Sequence, residues 1–213
     1  MSRNHNPHKT MENILSTSER LFLEKGYEKT TTQAIINATG IAKGTLFHHF
    51  KSKEDILVAV LARYNAQVAQ QMEARLDQMG VLTAREKIVA LFDWFYDNAQ
   101  TSPLSKLASL SRSPQLLIED VKGWVAHVSP IVSRLIEEGN GDGSLHTDYP
   151  QEVAELFNLL FCLWCDPAVL AATPESLRRR LQFIQHTMRC LGVDVASDTF
   201  IDKSLVFAQS LYT

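Results

Sequence analysis

Lys43, Thr45, Phe47, His48 and His49 stand together in the run KGTLFHHF, and Lys51 and Lys53 follow at once. Each of these side chains has a use against duplex nucleic acid. A cation neutralises phosphate, a hydroxyl or imidazole bonds a base edge, and a ring packs on the sugar-phosphate backbone or a thymine methyl. Gly44 lets a backbone come close, having no Cβ. Upstream, Thr31, Thr32 and Gln33 add short polar groups, and the Gln33 amide suits an adenine edge or a phosphate. We therefore take Thr31, Thr32, Gln33, Lys43, Gly44, Thr45, Phe47, His48, His49, Lys51 and Lys53 as candidate DNA contacts. Lys43, Lys51 and Lys53 are expected on phosphates, with Thr45 and His48 on base edges.

These residues need a scaffold, and the surrounding sequence supplies one. TTTQAIINATGIAKGTLFHHFKSK, from Thr30, reads as two short helices joined by a glycine turn, which is how a helix-turn-helix presents its second helix to the major groove. Ile35, Ala38, Ile41, Leu46 and Phe50 are the apolar points expected to hold the crossed helices together. Gly40 is placed to end the first helix in a left-handed conformation, and Thr30, Thr31 or Thr32 offers it a hydroxyl cap. Ahead of them Met11, Ile14, Leu15, Ser18, Leu21, Phe22 and Lys25 keep a helical stripe that Gly26 closes.

At these residues the chain resembles the TetR family of bacterial transcription repressors. KGTLFHHF with KSKEDIL is the most specific part, and Ile14, Leu15, Leu21, Phe22, Glu24, Lys25, Gly26 and Tyr27 fit the family's first-helix pattern. Three positions depart from it. Ala42 stands where a serine usually caps the recognition helix, Ala34 where an acidic residue is usual, and Gln33 where a basic one is frequent. The resemblance implies an all-α chain with an amino-terminal three-helix DNA-binding domain and a larger helical domain for ligand binding and dimerisation. It also implies a dimeric repressor that binds a palindromic operator and is released by a small-molecule effector.

Length and charge agree with a two-part chain. At 213 residues and 45% hydrophobic composition it can bury a sizeable core. The formal charge of -3 looks wrong for a DNA binder until it is divided. Residues 1–53 carry 8 Lys and Arg against 4 Asp and Glu, and the remaining residues 13 against 20, so the basic end is the one for phosphates. We expect a helix-turn-helix domain over 1–53 and an effector-binding and dimerisation domain over 54–213, with 54–78 as the connecting helix. The polar start MSRNHNPHKT lacks the apolar segment of a secretory signal, and the most apolar run, Leu156 to Cys165, is too short for a bilayer and is interrupted by Asn158. Three cysteines fit a reducing compartment, so a soluble, cytoplasmic protein without membrane attachment is expected.

Helical periodicity continues with almost no strand signal. Glu54 to about Gln78 places Leu57, Val60, Leu61, Tyr64, Val68 and Met72 on one side, with Ser52 as cap. Further helices are expected from Thr83 to before Pro103, and over Leu104 to Ser111, Pro114 to Glu138, Pro150 to Cys165, Pro174 to Leu191 and Asp198 to Tyr212. Pro130 should kink the Pro114 to Glu138 helix, and Gly139 to Gly143 should form a flexible connection.

One head makes few contacts, so useful selectivity needs a two-fold dimer reading two half-sites. The helices over 150–165 and 174–191 are the expected homodimer surface. Val153, Leu156, Phe157, Leu160, Phe161 and Trp164 make the first apolar around much of its girth. Trp94, Phe95, Trp124, His127, Phe161 and Trp164 are candidate effector-lining residues, although aromatic residues at helical spacing also make ordinary core.

Other chemistry has less support. Cys162 and Cys165 form a C-x-x-C, but at the end of an apolar helix rather than at the start, where the dipole would lower a thiol pKa. His48 and His49 point about 100° apart and do not jointly grip one ion, so no metal or other cofactor is expected. An enzyme using Cys165 and His186 would lack a phosphate loop, a nucleophile elbow and an acid-base pair, so the chain is read as a non-enzyme. The Arg178-Arg179-Arg180 run reads as a solvated helix face. The alternatives left open are a helical interaction protein that has lost operator binding and a thiol-based redox sensor using Cys162 and Cys165.

Overall fold

The computed structural model describes residues 7–99, 102, 104, 114–167 and 169–212. It is all-α among these residues, as the periodicity predicts. Helix α1 spans Pro7–Lys25, α2 Thr32–Thr39, α3 Lys43–His49, α4 Lys53–Leu76 and α5 Ala84–Ala99. Then come α6, Pro114–His127, α7, Ser129–Asp142, and α8, Pro150–Leu159, which runs into a π-helical turn over Leu160–Trp164. Helices α9, Pro174–Cys190, and α10, Asp198–Tyr212, complete the chain. The helix expected over Leu104 to Ser111 lies, apart from Leu104, outside the described residues. No described helix is long and apolar enough to cross a membrane.

The chain divides into two compact units, Met1–Tyr64 and Asn65–Thr213, so the division falls inside α4 and not at residue 53. The physical reason is where the first turns of α4 spend their apolar side chains. Ile56, Leu57, Val60 and Leu61 are buried in the same unit as Ile14, Leu15, Leu21 and Phe22 of α1, Ile35 and Ile36 of α2, and Leu46 of α3. Arg63 reinforces this from outside, reaching Glu12, Ser16 and Glu19 of α1. Ile36, and not the exposed Ala38, is the second apolar anchor of α2, and Ile41 is half-buried.

In the larger unit the core is an aromatic seam. Phe92 of α5 stacks on Phe157 of α8 at 5.0 Å between centroids, and Phe200 of α10 packs beside both at 5.5 and 5.6 Å. The Ser204 hydroxyl donates to Tyr96 Oη at 2.6 Å, a paired polar edge inside the seam. Asn158 is buried too, and its amide donates to Ser129 Oγ at 2.7 Å.

Two expectations about this unit are overturned. Pro130 does not kink a single long helix. Two helices meet at Val128, and Pro130 falls in the first turn of α7, where its missing N–H removes no intrahelical bond. Nor is Gly139 to Gly143 a flexible connection. Helix α7 runs on to Asp142 before Gly143 ends it at φ +79°, and the Asn140 amide clamps both the N–H and the C=O of Thr147. Hydrogen bonds from the Ser144 hydroxyl and from the N–H groups of Ala84 and Ser144 hold the Asp142 carboxyl below its usual range, and the Ala84 bond ties α7 to the start of α5.

Candidate functional site

The amino-terminal unit assembles its outward face from short, well-ended helices. Thr31 is the residue that caps α2, its hydroxyl accepting from the Ala34 N–H at 3.1 Å. Thr30 is instead buried, donating to the carbonyls of Leu21 and Gly26. Gly40 ends α2 at φ +68°, where a side chain would be strained, and its N–H bonds Ile36 O. The next helix opens at Ala42 with no side-chain cap, so the departure seen in the sequence is a real gap in the bonding.

Helix α3 then separates its residues cleanly. Leu46 is buried, as is Phe50 just past its end, while Lys43, Gly44, Phe47 and His48 are exposed and Thr45 and His49 half-buried. Phe47 is 41% exposed, a large ring kept in solvent, with Lys43 Nζ 5.9 Å from its centroid. Its position on the outer face is the opposite of a core role. The His48 and His49 rings meet edge to face at 5.3 Å, and no group of metal-binding side chains occurs among the described residues.

The remaining candidates fall on either side of this face. Thr31 and Gln33 are exposed at the start of α2, where Gln33 donates to Asn37 Oδ1 at 2.9 Å, and Thr32 is half-buried. Lys51 is exposed, its N–H and that of Ser52 both donating to Asp55 Oδ2, while Ser52 Oγ accepts from the Asp55 N–H. That reciprocal pair starts α4 where the sequence places the cap. Lys53 behaves differently. Its ammonium donates to Tyr27 O at 2.8 Å and lies 4.1 Å from the Tyr27 ring centroid, so its observed work is to fasten α4 to the turn after α1.

In the larger unit the six effector-lining candidates separate. Phe95 and Trp124 meet edge to face at 5.2 Å, and Phe161 joins them through Tyr96, 6.0 Å from its own ring. Trp164 belongs elsewhere, packing on Phe183 at 5.6 Å and under Arg180, whose guanidinium also donates to Trp164 O and Leu170 O. His127 is exposed at the end of α6, and Trp94 is half-buried with no ring partner among the described aromatic pairs.

What sequence reasoning missed here is polar. Asp120 of α6 accepts from the Asn65 amide at 2.8 Å, and burial together with Asp166 raises its carboxyl above the usual range. Asn65 is 2% exposed, and a Cβ on Gly123 would come within 2.8 Å of its amide nitrogen. The available signal was spacing: Leu116, Asp120 and Gly123 share one face of α6, putting an acid on a stripe that should be apolar.

The C-x-x-C pair gives no activated thiol. Burial pushes Cys162 up, with Asp120 and Asp166 adding to the rise, and pushes Cys165 up to about 12. Cys190 is exposed, 3.6 Å from His186 Nε2. In the arginine run, Arg178 and Arg179 are both exposed, Arg178 pairing with Asp202, while Arg180 is held as described.

A short capped helix, a glycine turn and a second helix with a solvent-facing basic and aromatic surface define a DNA-binding helix-turn-helix protein. Comparison with known proteins places it further: residues 14–60 match the family described as bacterial regulatory proteins, tetR family. That segment, which holds α2 and α3, is similar to the DNA-binding part of TetR-family transcription regulators. Over nearly its whole length the chain is similar to the HTH-type transcriptional repressor AcnR of Corynebacterium glutamicum, at 25% identity over 86% of this chain and 94% of the relative. The repressor NemR of Escherichia coli is 26% identical over 88% and 96%. The fold also matches the crystal structure of RolR in complex with resorcinol, with a TM-score of 0.68 over 95% of this chain and 96% of that one at 13% identity.

Proposed function

We propose that the chain is a dimeric repressor in which each α3 enters the major groove of one half of a palindromic operator, and that an effector held by the larger unit releases it. The observation that carries this reading is the division of α3 into a buried Leu46 and an exposed Lys43, Phe47 and His48. Lys43 and Lys51 take phosphates, Thr45 and His48 read base edges, and Phe47 packs on a sugar or a thymine methyl. Thr31, Thr32 and Gln33 meet the strand beside the amino end of α2, Gly44 admits a close backbone, and His49 supports His48.

Dimerisation through α8 and α9 has support in what these helices leave outside. Leu156 and Leu159 of α8 and Phe183 of α9 are exposed large apolar residues, while Val153, Ala154 and Phe157 of α8 face the core. For the effector, a protein of the same fold, RolR, was solved in complex with resorcinol, which favours a small molecule as the releasing ligand. The aromatic groups at Phe95, Trp124 and Phe161 are its best-supported lining. Release then requires that the effector prefer one arrangement of the dimer over the other.

The test is footprinting of genomic fragments with the purified protein. Protection of a two-fold symmetric site that weakens steeply as salt rises is expected, since each neutralised phosphate contributes to the slope. A His48→Ala protein should shift the preferred sequence at one position of each half-site. A monomer that protects no fragment at any salt overturns the reading in favour of an interaction protein.

A further inference from the structure

Helix α9 has two unlike sides. Leu177, Leu181, Ile184 and Met188 are buried along one, while Phe183, His186 and Cys190 are exposed. At 3.6 residues per turn His186 lies opposite the buried stripe, with Phe183 and Cys190 beside it. The exposed side also changes along its length. Its first half carries Glu175, Arg178 and Arg179, whereas from Phe183 to Cys190 the outermost groups are a ring, an imidazole and a thiol. Arg189, on the flank, is engaged with Asp194 at 3.3 Å.

Two copies that meet through α9 about a two-fold axis bring each residue near its own duplicate. An axis beside Arg178 and Arg179 sets like charges together, which costs affinity. The half from Phe183 to Cys190 avoids that cost and holds the exposed large apolar side chain of the helix.

In the same half, Cys190 Sγ lies 3.6 Å from His186 Nε2. The i, i+4 spacing puts both on one side of the helix, unlike the adjacent His48 and His49. A tetrahedral ion bonded at about 2.3 Å to sulfur and about 2.0 Å to nitrogen spans about 3.5 Å between the two atoms, so the pair already stands at that bite. Thiolate with imidazole suits zinc, while magnesium and calcium take oxygen ligands. One chain supplies two ligands only, because among the described residues no group of three or more His, Cys, Asp or Glu could hold a metal. A closed structural site needs four.

We propose that His186 and Cys190 from two copies of the chain together hold one zinc ion, which clasps the two α9 helices at the dimer surface. The two thiols give their protons to solvent on binding, so two thiolates and two neutral imidazoles leave the site without net charge. The site rests on the dimer reading, and the two can fail separately.

The probes are cobalt(II) and zinc(II), added to the reduced full-length protein after treatment with a chelator. Cobalt should give the ligand-field bands of a tetrahedral site and a thiolate charge-transfer band, both saturating at one ion per two chains. Zinc should displace it and bleach them. Zinc should also tighten the dimer at least about tenfold in sedimentation, since the ion binds the dimer and not the monomer. Cys190→Ser should abolish the thiolate band, and His186→Ala should weaken cobalt binding at least about tenfold. Both side chains are exposed, so both variants should melt with the parent in chelator. No cobalt binding, one ion per chain, or a thiolate band that survives Cys190→Ser and so belongs to Cys162 or Cys165, each overturns the proposal. Sedimentation in chelator keeps the dimer reading apart. A metal-free dimer that takes up no cobalt defeats the site alone, and a chain that is monomeric with and without metal defeats both.

Discussion

The two units of this chain carry function in opposite ways. In the amino-terminal unit the core exists to hold polar and aromatic side chains outward: Leu46 and Phe50 are buried so that Lys43, Phe47 and His48 are exposed. In the larger unit the best-supported effector-lining groups are themselves part of the packing, with Phe95, Trp124 and Phe161 half-buried on helices α5, α6 and the π turn. A site of the first kind has exposed atoms that can change with little effect on stability. One of the second kind ties recognition to folding, because every change also changes the core.

The largest expected effect tests how far the larger unit tolerates change at all. Gly192 sits at φ +79°, its carbonyl accepts from the His146 N–H, and a Cβ there would lie 1.7 Å from His146 O. Gly192→Ala should cost at least about 3 kcal/mol, from left-handed strain plus the overlap. Urea unfolding of the variant measures it, and a change under 1 kcal/mol, on the order of an ordinary surface substitution, would mean that this corner is soft.

Next comes the exposed face. Lys51→Ala should weaken binding about tenfold on every operator sequence alike, lower the salt slope by roughly one, and leave the melting temperature unchanged. Titrations at several salt concentrations show it. A loss confined to one operator sequence would move Lys51 from positioning to readout and blur the contrast between the units.

Asp120→Asn sharpens the comparison from the other side. Burial and Asp166 raise the folded carboxyl above its unfolded value, so the ionised form is the one the fold penalises. Stability from this group is complete below the unfolded pKa of about 4 and is lost as pH rises through the folded pKa. Asparagine copies the neutral form. The variant should therefore match the parent in melts at the acid end of this window and exceed it by on the order of 1 kcal/mol at pH 7. Equal stability at both ends would show that the carboxylate is compensated.

The smallest effect belongs to the uncapped helix. Ala42 has the extended backbone of an N-cap but no side-chain acceptor, and Ala42→Ser should add about 0.5–1 kcal/mol to the stability of the amino-terminal unit. Amide exchange in α3 would register it. If stability falls instead, the hydroxyl has found no N–H to accept from.

Much of the amino-terminal unit was legible because its signals are local. The stripe Ile14, Leu15, Ser18, Leu21 and Phe22 is the buried face of α1, Gly40 ends α2, and Ser52 caps α4, each within one helical turn of the residue that predicts it. Ala38 was misread because one turn of a short helix leaves two apolar residues to choose from, and Ile36 is the larger. Lys53 reads as a phosphate ligand from its charge, and the bond that its ammonium also makes to Tyr27 O, 26 positions earlier, has no local signal. In the larger unit Pro130 had two local meanings, a kink or a start. The packing of α6 and α7 decided for a start.

By themselves the residues determined that the chain is helical, where most helices begin and end, and that a basic, aromatic segment is set out for nucleic acid. Caps, periodicity and the glycine turn act over three or four residues, and such distances are visible along the chain. Only the tertiary structure decided that the head extends to Tyr64, that Trp164 parts from Phe95 and Trp124, and that Asn65 meets Asp120. Those outcomes depend on side chains 55 positions apart in the last case, brought together by the shared burial of several helices, and no local pattern encodes which apolar faces will meet.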